Sequence, residues 1–155
     1  MTPTRPGPLT SIERLVLALV LLALPAGGLA EDRLGKPGDP AKVDRAIEIA
    51  VSDDMRFSPD EVRIKTGQTI RFHVVNGSAL DHMMVLGRLA DLRKQAALMS
   101  KATGRSLSAP TAILVGPGQT GNLIWQFTHS GSFDFACLIP GHLTGGMKGK
   151  VIVRP

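Results

Sequence analysis

The sequence predicts an all-β fold: an antiparallel β-sandwich of about seven to eight short strands with one helical insertion. Three observations carry that prediction. Apolar and polar residues alternate in short runs such as "AIEIAVSD" (46–53) and "NLIWQF" (122–127), the period of a half-buried strand. Gly- and Pro-containing turns punctuate those runs, as in sandwiches built from short strands. A single stretch, "RLADLRKQAALMSKATG" (88–104), instead repeats its apolar residues at helical spacing. At 155 residues the chain suffices for one domain with one ordinary core.

The first 30 residues read as a signal peptide outside that domain. Arg5 and Arg14 precede the unbroken apolar run "LVLALVLLAL" (15–24), Pro25 breaks it, and "GLA" ends at Ala30. This is the layout of a secretory signal with cleavage before Glu31. The run is too short to span a bilayer comfortably, so the mature chain is expected in the periplasm without a membrane anchor. Residues 31–45, polar and rich in Gly and Pro, read as a flexible leader. The domain proper is expected over 46–155.

Within it, Ile47, Ile49 and Val51 alternate with Glu48 and Ala50 in the first strand. Val62 and Ile64, then Ile70, Phe72 and Val74, form two further runs around a Thr-Gly-Gln turn, a hairpin-like break. "DHMMVLG" follows, then the helix of 88–104, where Leu89, Leu92, Ala96, Leu98 and Met99 line up. "TAILVG", "NLIWQF", "SFDFAC" and "KGKVIVRP" supply the remaining strands. "GPGQTG" lacks the Lys-Ser/Thr of a phosphate-binding loop and enters a strand, so it reads as a β-turn.

Without residues 1–30 the chain keeps 16 of its 18 Lys and Arg and 12 of its 13 Asp and Glu, a net charge of +4. No basic run is interleaved with aromatics, which argues against nucleic acid as a partner. Cysteine usage says more. An exported domain ordinarily pairs its cysteines, yet Cys137 is alone. Burial would protect such a thiol; occupation by a metal is the other way to keep it.

The surroundings of Cys137 favour the metal. In "FACLIPGHLTGGMKGKVIV" Cys137, His142 and Met147 stand in Cys-x4-His-x4-Met spacing, with Pro and Gly between them. One loop thus carries a thiol, an imidazole and a thioether, and a fourth donor must come from another strand. Of the four histidines, His73 lies in mid-strand and His129 in a Ser-Gly turn. His82, between "NGSALD" and "MMVLG", sits where one strand ends and the next begins, the place from which a site at one pole of a sandwich draws its remote ligand. Two imidazoles and one thiolate with a weak axial thioether describe a mononuclear blue-copper site. Zinc accepts Cys and His, but a thioether suits it poorly. Met83, Met84 and Met99 read as core packing.

These residues carry a resemblance. "DFACLIPGHLTGGMKGKVIV" resembles the copper loop of the cupredoxins, with a rusticyanin- and azurin-like spacing. "MRFSPDEVRIKTGQTIRFHVVNGSALDHMMVLG", followed by a helical insert and "GPGQTGNLIWQFTHSGSFDFAC", resembles the bacterial periplasmic cupredoxins of copper tolerance. The resemblance covers Ile47 to Val153. It implies a Greek-key, cupredoxin-like sandwich holding one Cu(I)/Cu(II) ion, with His82, Cys137 and His142 equatorial and Met147 axial. The Asp81 carbonyl would lie near the metal, as in azurin-like sites. The chain departs from the pattern in having no Met or His in its leader, and in carrying Met83 where Glu or Asn is common.

The function expected is that of a periplasmic, monomeric type-1 copper protein in copper tolerance. The alternative is a soluble one-electron carrier between redox proteins such as a c-type cytochrome or an oxidase. Enzymatic readings fare worse. A cysteine nucleophile in a β-loop has no helix N-terminus to lower its pKa. A copper enzyme would need a second copper with further histidines, and a dinuclear purple-copper site a second cysteine.

Overall fold

The computed structural model describes residues 33–101 and 108–155. The expected signal peptide and the end of the expected helix (102–104) lie outside the described residues. The strands are β1 (Lys36–Pro37), β2 (Arg45–Val51), β3 (Phe57–Ser58), β4 (Glu61–Lys65), β5 (Thr69–Asn76), β6 (His82–Gly87), β7 (Ala112–Val115), β8 (Thr120–Gln126), β9 (Gly131–Ala136) and β10 (Lys148–Arg154). Helix α1 (Leu89–Ser100) lies between β6 and β7. Among the described residues eight strands have four or more residues, within the expected seven to eight.

Two five-stranded sheets, ordered β1-β8-β5-β2-β3 and β4-β10-β9-β6-β7, pack face to face. The alternation places their inner faces: Ile47, Ile49 and Val51 of β2, Ile70, Phe72 and Val74 of β5, and Val62 and Ile64 of β4 are all buried. Phe57 meets Phe135 edge-on at 5.2 Å, and Phe72 meets Phe127 edge-on at 6.2 Å, an edge-to-face geometry that aromatic quadrupoles favour. Most neighbours are antiparallel, but each sheet contains one parallel pair, β2 with β5 and β4 with β10.

That arrangement corrects the hairpin expected around Thr66–Gln68. β4 and β5 belong to different sheets, and the turn carries the chain across the sandwich, with Thr66 N donating to Arg154 O and Gly67 N to Phe127 O, both at 2.7 Å. Alternation reveals which face of a strand is buried; it does not reveal the strand's neighbour.

The expected flexible leader is also corrected over residues 36–42. Lys36–Pro37 pairs antiparallel with β8, and Pro40–Lys42 forms a 3-10 turn capped by Asp39. The buried Trp125 indole requires an acceptor, and the Leu34 carbonyl supplies it at 2.9 Å. Gly35, at φ +113°, lies so close to the Gln126 backbone that a Cβ would collide with it. This glycine serves close approach rather than flexibility.

Helix α1 lies against β6 and β9. Its N-cap position, Arg88, offers no side-chain cap; the Asp134 carboxylate of β9 accepts the Leu89 N–H at 2.9 Å in its place. Leu92 is the helix's buried anchor, packed over Gly87, where a Cβ would stand 3.1 Å from the leucine methyl.

Candidate metal centre

One end of the second sheet gathers the candidate residues. His82 opens β6, Cys137 follows the last residue of β9, and Met147 precedes the first of β10. The β6–β9 and β9–β10 ladders are antiparallel, so the start of β6, the end of β9 and the start of β10 fall at the same pole. The rung Ala136↔Lys148 continues by one step, with Cys137 N donating to Met147 O at 3.1 Å. Between those ends the loop is a series of turns: His142 N to Ile139 O at 3.0 Å, Gly145 N to Gly141 O at 2.8 Å and Met147 N to His142 O at 2.9 Å. The sequence folds this way because Pro140 and the three glycines permit tight turning, Gly141 and Gly146 at positive φ.

His82, Cys137 and His142 come together so that one donor atom of each lies within 4.8 Å of the others. Cys137 Sγ stands 3.4 Å from His142 Nδ1 and accepts the Met83 N–H at 3.4 Å. The two imidazole rings are 5.0 Å apart. Met147 is fully buried in the same loop. His73, bonded to Asn122, and His129, bonded to Thr128, lie elsewhere. Met83 and Met84 are buried in the core and Met99 packs against it, as expected of gap-filling methionines.

Burial governs the electrostatics. It raises the Cys137 thiol pKa, partly offset by the N–H groups of Met83 and Ile139. Burial also lowers the pKa of both imidazoles; for His82 the neighbouring His142 adds to the effect, while Asp81 and Asp53 oppose it. The histidines are thereby kept neutral and able to donate lone pairs.

The site passes a direct test for a metal. His82 Nδ1 is buried without a hydrogen-bond partner among the described residues, and such orphaned atoms are rare because they cost free energy. A metal ion would occupy it, and a donor set of one sulfur and two imidazole nitrogens suits copper.

Sequence reasoning missed the support behind His82. Ser78 Oγ lies 2.9 Å from His82 Nε2, and Asn76 holds Ser78 in turn, at 2.8 Å. Both residues belong to "NGSALD", which the sequence marks only as the stretch between two strands, and small polar residues carry no sequence signal of burial. A cleft of about 370 Å³ beside His142 is lined by Leu80, Asp81, Met83, Met99, Leu114, Ile139 and Pro140. Leu80 and Leu114 on its rim are more than half exposed.

Residues 43–154 match the profile of the copper binding proteins of the plastocyanin/azurin family, and the chain belongs to that family. Copper is accordingly its cofactor. The chain is 44% identical over 125 residues to the copper-resistant cuproprotein CopI of Rubrivivax gelatinosus, covering 81% of this chain and 76% of the relative. It is 33% identical to the CopI of Pseudomonas aeruginosa, covering 86% and 87%. Among solved structures, dithionite-reduced auracyanin from the photosynthetic bacterium Roseiflexus castenholzii is similar, with a TM-score of 0.61 and 27% identity over 73% of this chain and 99% of that one.

Proposed function

We infer that the chain is an exported, periplasmic type-1 copper protein working in copper resistance. It holds one copper through His82, Cys137 and His142, with Met147 as the weak axial ligand. The observation that carries this reading is the convergence of three soft and borderline donors within 4.8 Å of one another, with the buried Nδ1 of His82 unpartnered among the described residues. Its likeness to the copper-resistant CopI proteins supports the biological role. Copper, when bound, supplies one-electron chemistry. The protein's part is to keep two neutral imidazoles and a dry sulfur in place, so that little rearranges between oxidation states.

Export is read from the first 30 residues, and among the described residues no helix is long and apolar enough to cross a membrane. The site reads as a binding and redox centre, not a catalytic one. Cys137 is fully buried and its pKa is raised by burial, the reverse of what a nucleophilic thiol needs.

The apolar rim beside His142 favours a second reading, a carrier passing electrons to a redox protein that docks there. A copper-sensitivity assay of a deletion strain separates the two roles: a carrier's loss leaves copper tolerance intact. The site itself is tested by the visible spectrum with one equivalent of Cu(II). An intense thiolate-to-copper band is expected, and Cys137→Ser abolishes it. A band that survives the substitution refutes the assignment.

A further inference from the structure

The buried imidazole of His82 is tied by hydrogen bonds to two backbone carbonyls, and the polarity of every bond between follows from them. Asn76, 1% exposed, directs Nδ2 to Leu80 O at 2.7 Å and to Val115 O at 2.9 Å. A carbonyl oxygen only accepts, so both contacts require the NH2 group there and leave Oδ1 facing Ser78. Oδ1 also only accepts. It takes the Ser78 N–H at 3.0 Å and the Ser78 hydroxyl at 2.8 Å.

The hydroxyl has one proton, and it is committed to Oδ1. The other acceptor in its reach, Leu80 O at 3.3 Å, would have the same effect. Towards His82 Nε2, 2.9 Å away, Ser78 Oγ therefore offers only a lone pair, so the contact is a hydrogen bond only when Nε2 carries the hydrogen. The lone pair of the neutral ring then resides on Nδ1, the buried atom without a partner among the described residues.

We propose that Ser78, anchored by Asn76, is a positioning residue that holds His82 as its Nε2–H tautomer and presents the Nδ1 lone pair to copper before copper arrives. The proposal rests on the reading of His82 as a copper ligand. Two consequences follow from the bond's polarity. The ring is oriented in advance, which strengthens binding. An acceptor on Nε2–H also makes Nδ1 a better donor, which favours Cu(II) over Cu(I).

The test begins with the metal-free protein at about pH 8, above the ordinary imidazole range. Long-range nitrogen–proton NMR of the His82 ring is expected to show hydrogen on Nε2; hydrogen on Nδ1 overturns the proposal, whatever becomes of any variant. In copper-loaded Ser78→Ala, affinity for Cu(II) relative to Cu(I) is expected to fall about tenfold, a rise in reduction potential of about 59 mV. Ser78→Thr, which keeps the hydroxyl, is expected to retain the wild-type potential. An unmoved potential in a folded Ser78→Ala protein refutes the relay. A failure of the ligand assignment looks different, since His82→Ala would then keep the wild-type visible band.

Discussion

Gly146 stands at φ +98° beside the candidate axial methionine, and a Cβ there would lie 3.3 Å from the Arg56 guanidinium. Gly146→Ala therefore meets both a strained backbone and a crowded neighbour, and it is expected to cost about 1–3 kcal/mol in urea unfolding of the metal-free protein. Met147→Leu tests the adjacent residue differently. In the proposed ligand set the thioether is the weak donor, so the variant is expected to keep its visible band while its reduction potential and band shape move. If neither changes, Met147 is not the axial ligand. At this scale the sequence was informative where chemistry is rare. A lone Cys137 spaced regularly with His142 and Met147 is hard to explain otherwise, and His82 was singled out by its place between strands. Ser78 and Asn76 were illegible because their role depends on burial and on the direction of single protons, neither of which composition records. Met83 is instructive in another way. Its N–H reaches Cys137 Sγ, and a backbone donor survives any side chain except proline.

Among the elements, α1 and β1 show opposite kinds of legibility. The helix was visible from its apolar spacing, yet the group that caps it comes from β9, far away in sequence. Asp134→Ala is expected to cost about 0.5–2 kcal/mol and to speed amide exchange first in the opening turn of α1. Uniform protection across the helix would show that the carboxylate does not cap it. β1 was hidden because Gly and Pro mark both flexible segments and segments where two backbones approach closely, and only the partner strand decides between them. The decisive partner is Trp125. Trp125→Phe leaves the Leu34 carbonyl without its donor, with an expected loss of about 0.5–1.5 kcal/mol and increased proteolysis before β2. The reading of β4 and β5 as hairpin-like failed for a related reason: two sequential strands with buried faces pair equally well with each other or with distant partners.

For the whole molecule, the core and the metal centre are separable. Most of the buried apolar residues fill the space between the sheets, and the site occupies one pole. The metal-free protein is thus expected to keep its β-sheet circular dichroism and a cooperative thermal transition. Copper held by the native state should raise the melting temperature, by an amount equivalent to about 2.7 kcal/mol when free copper is a hundredfold above its dissociation constant and the unfolded chain takes none. A chelated protein that is unfolded at room temperature would contradict this separation. The class of the fold was readable because alternation and turn chemistry are local, whereas the two parallel pairings depend on contacts between strands distant in the chain.

The bond from Cys137 N to Met147 O closes the intervening loop with main-chain atoms only. The interior of that loop is a clip whose exposed positions are open to change, tuning how tightly the metal is gripped or how readily it is surrendered, while His142, the buried Leu138 and Leu143 and the crowded Gly146 fasten it to the sheets beneath.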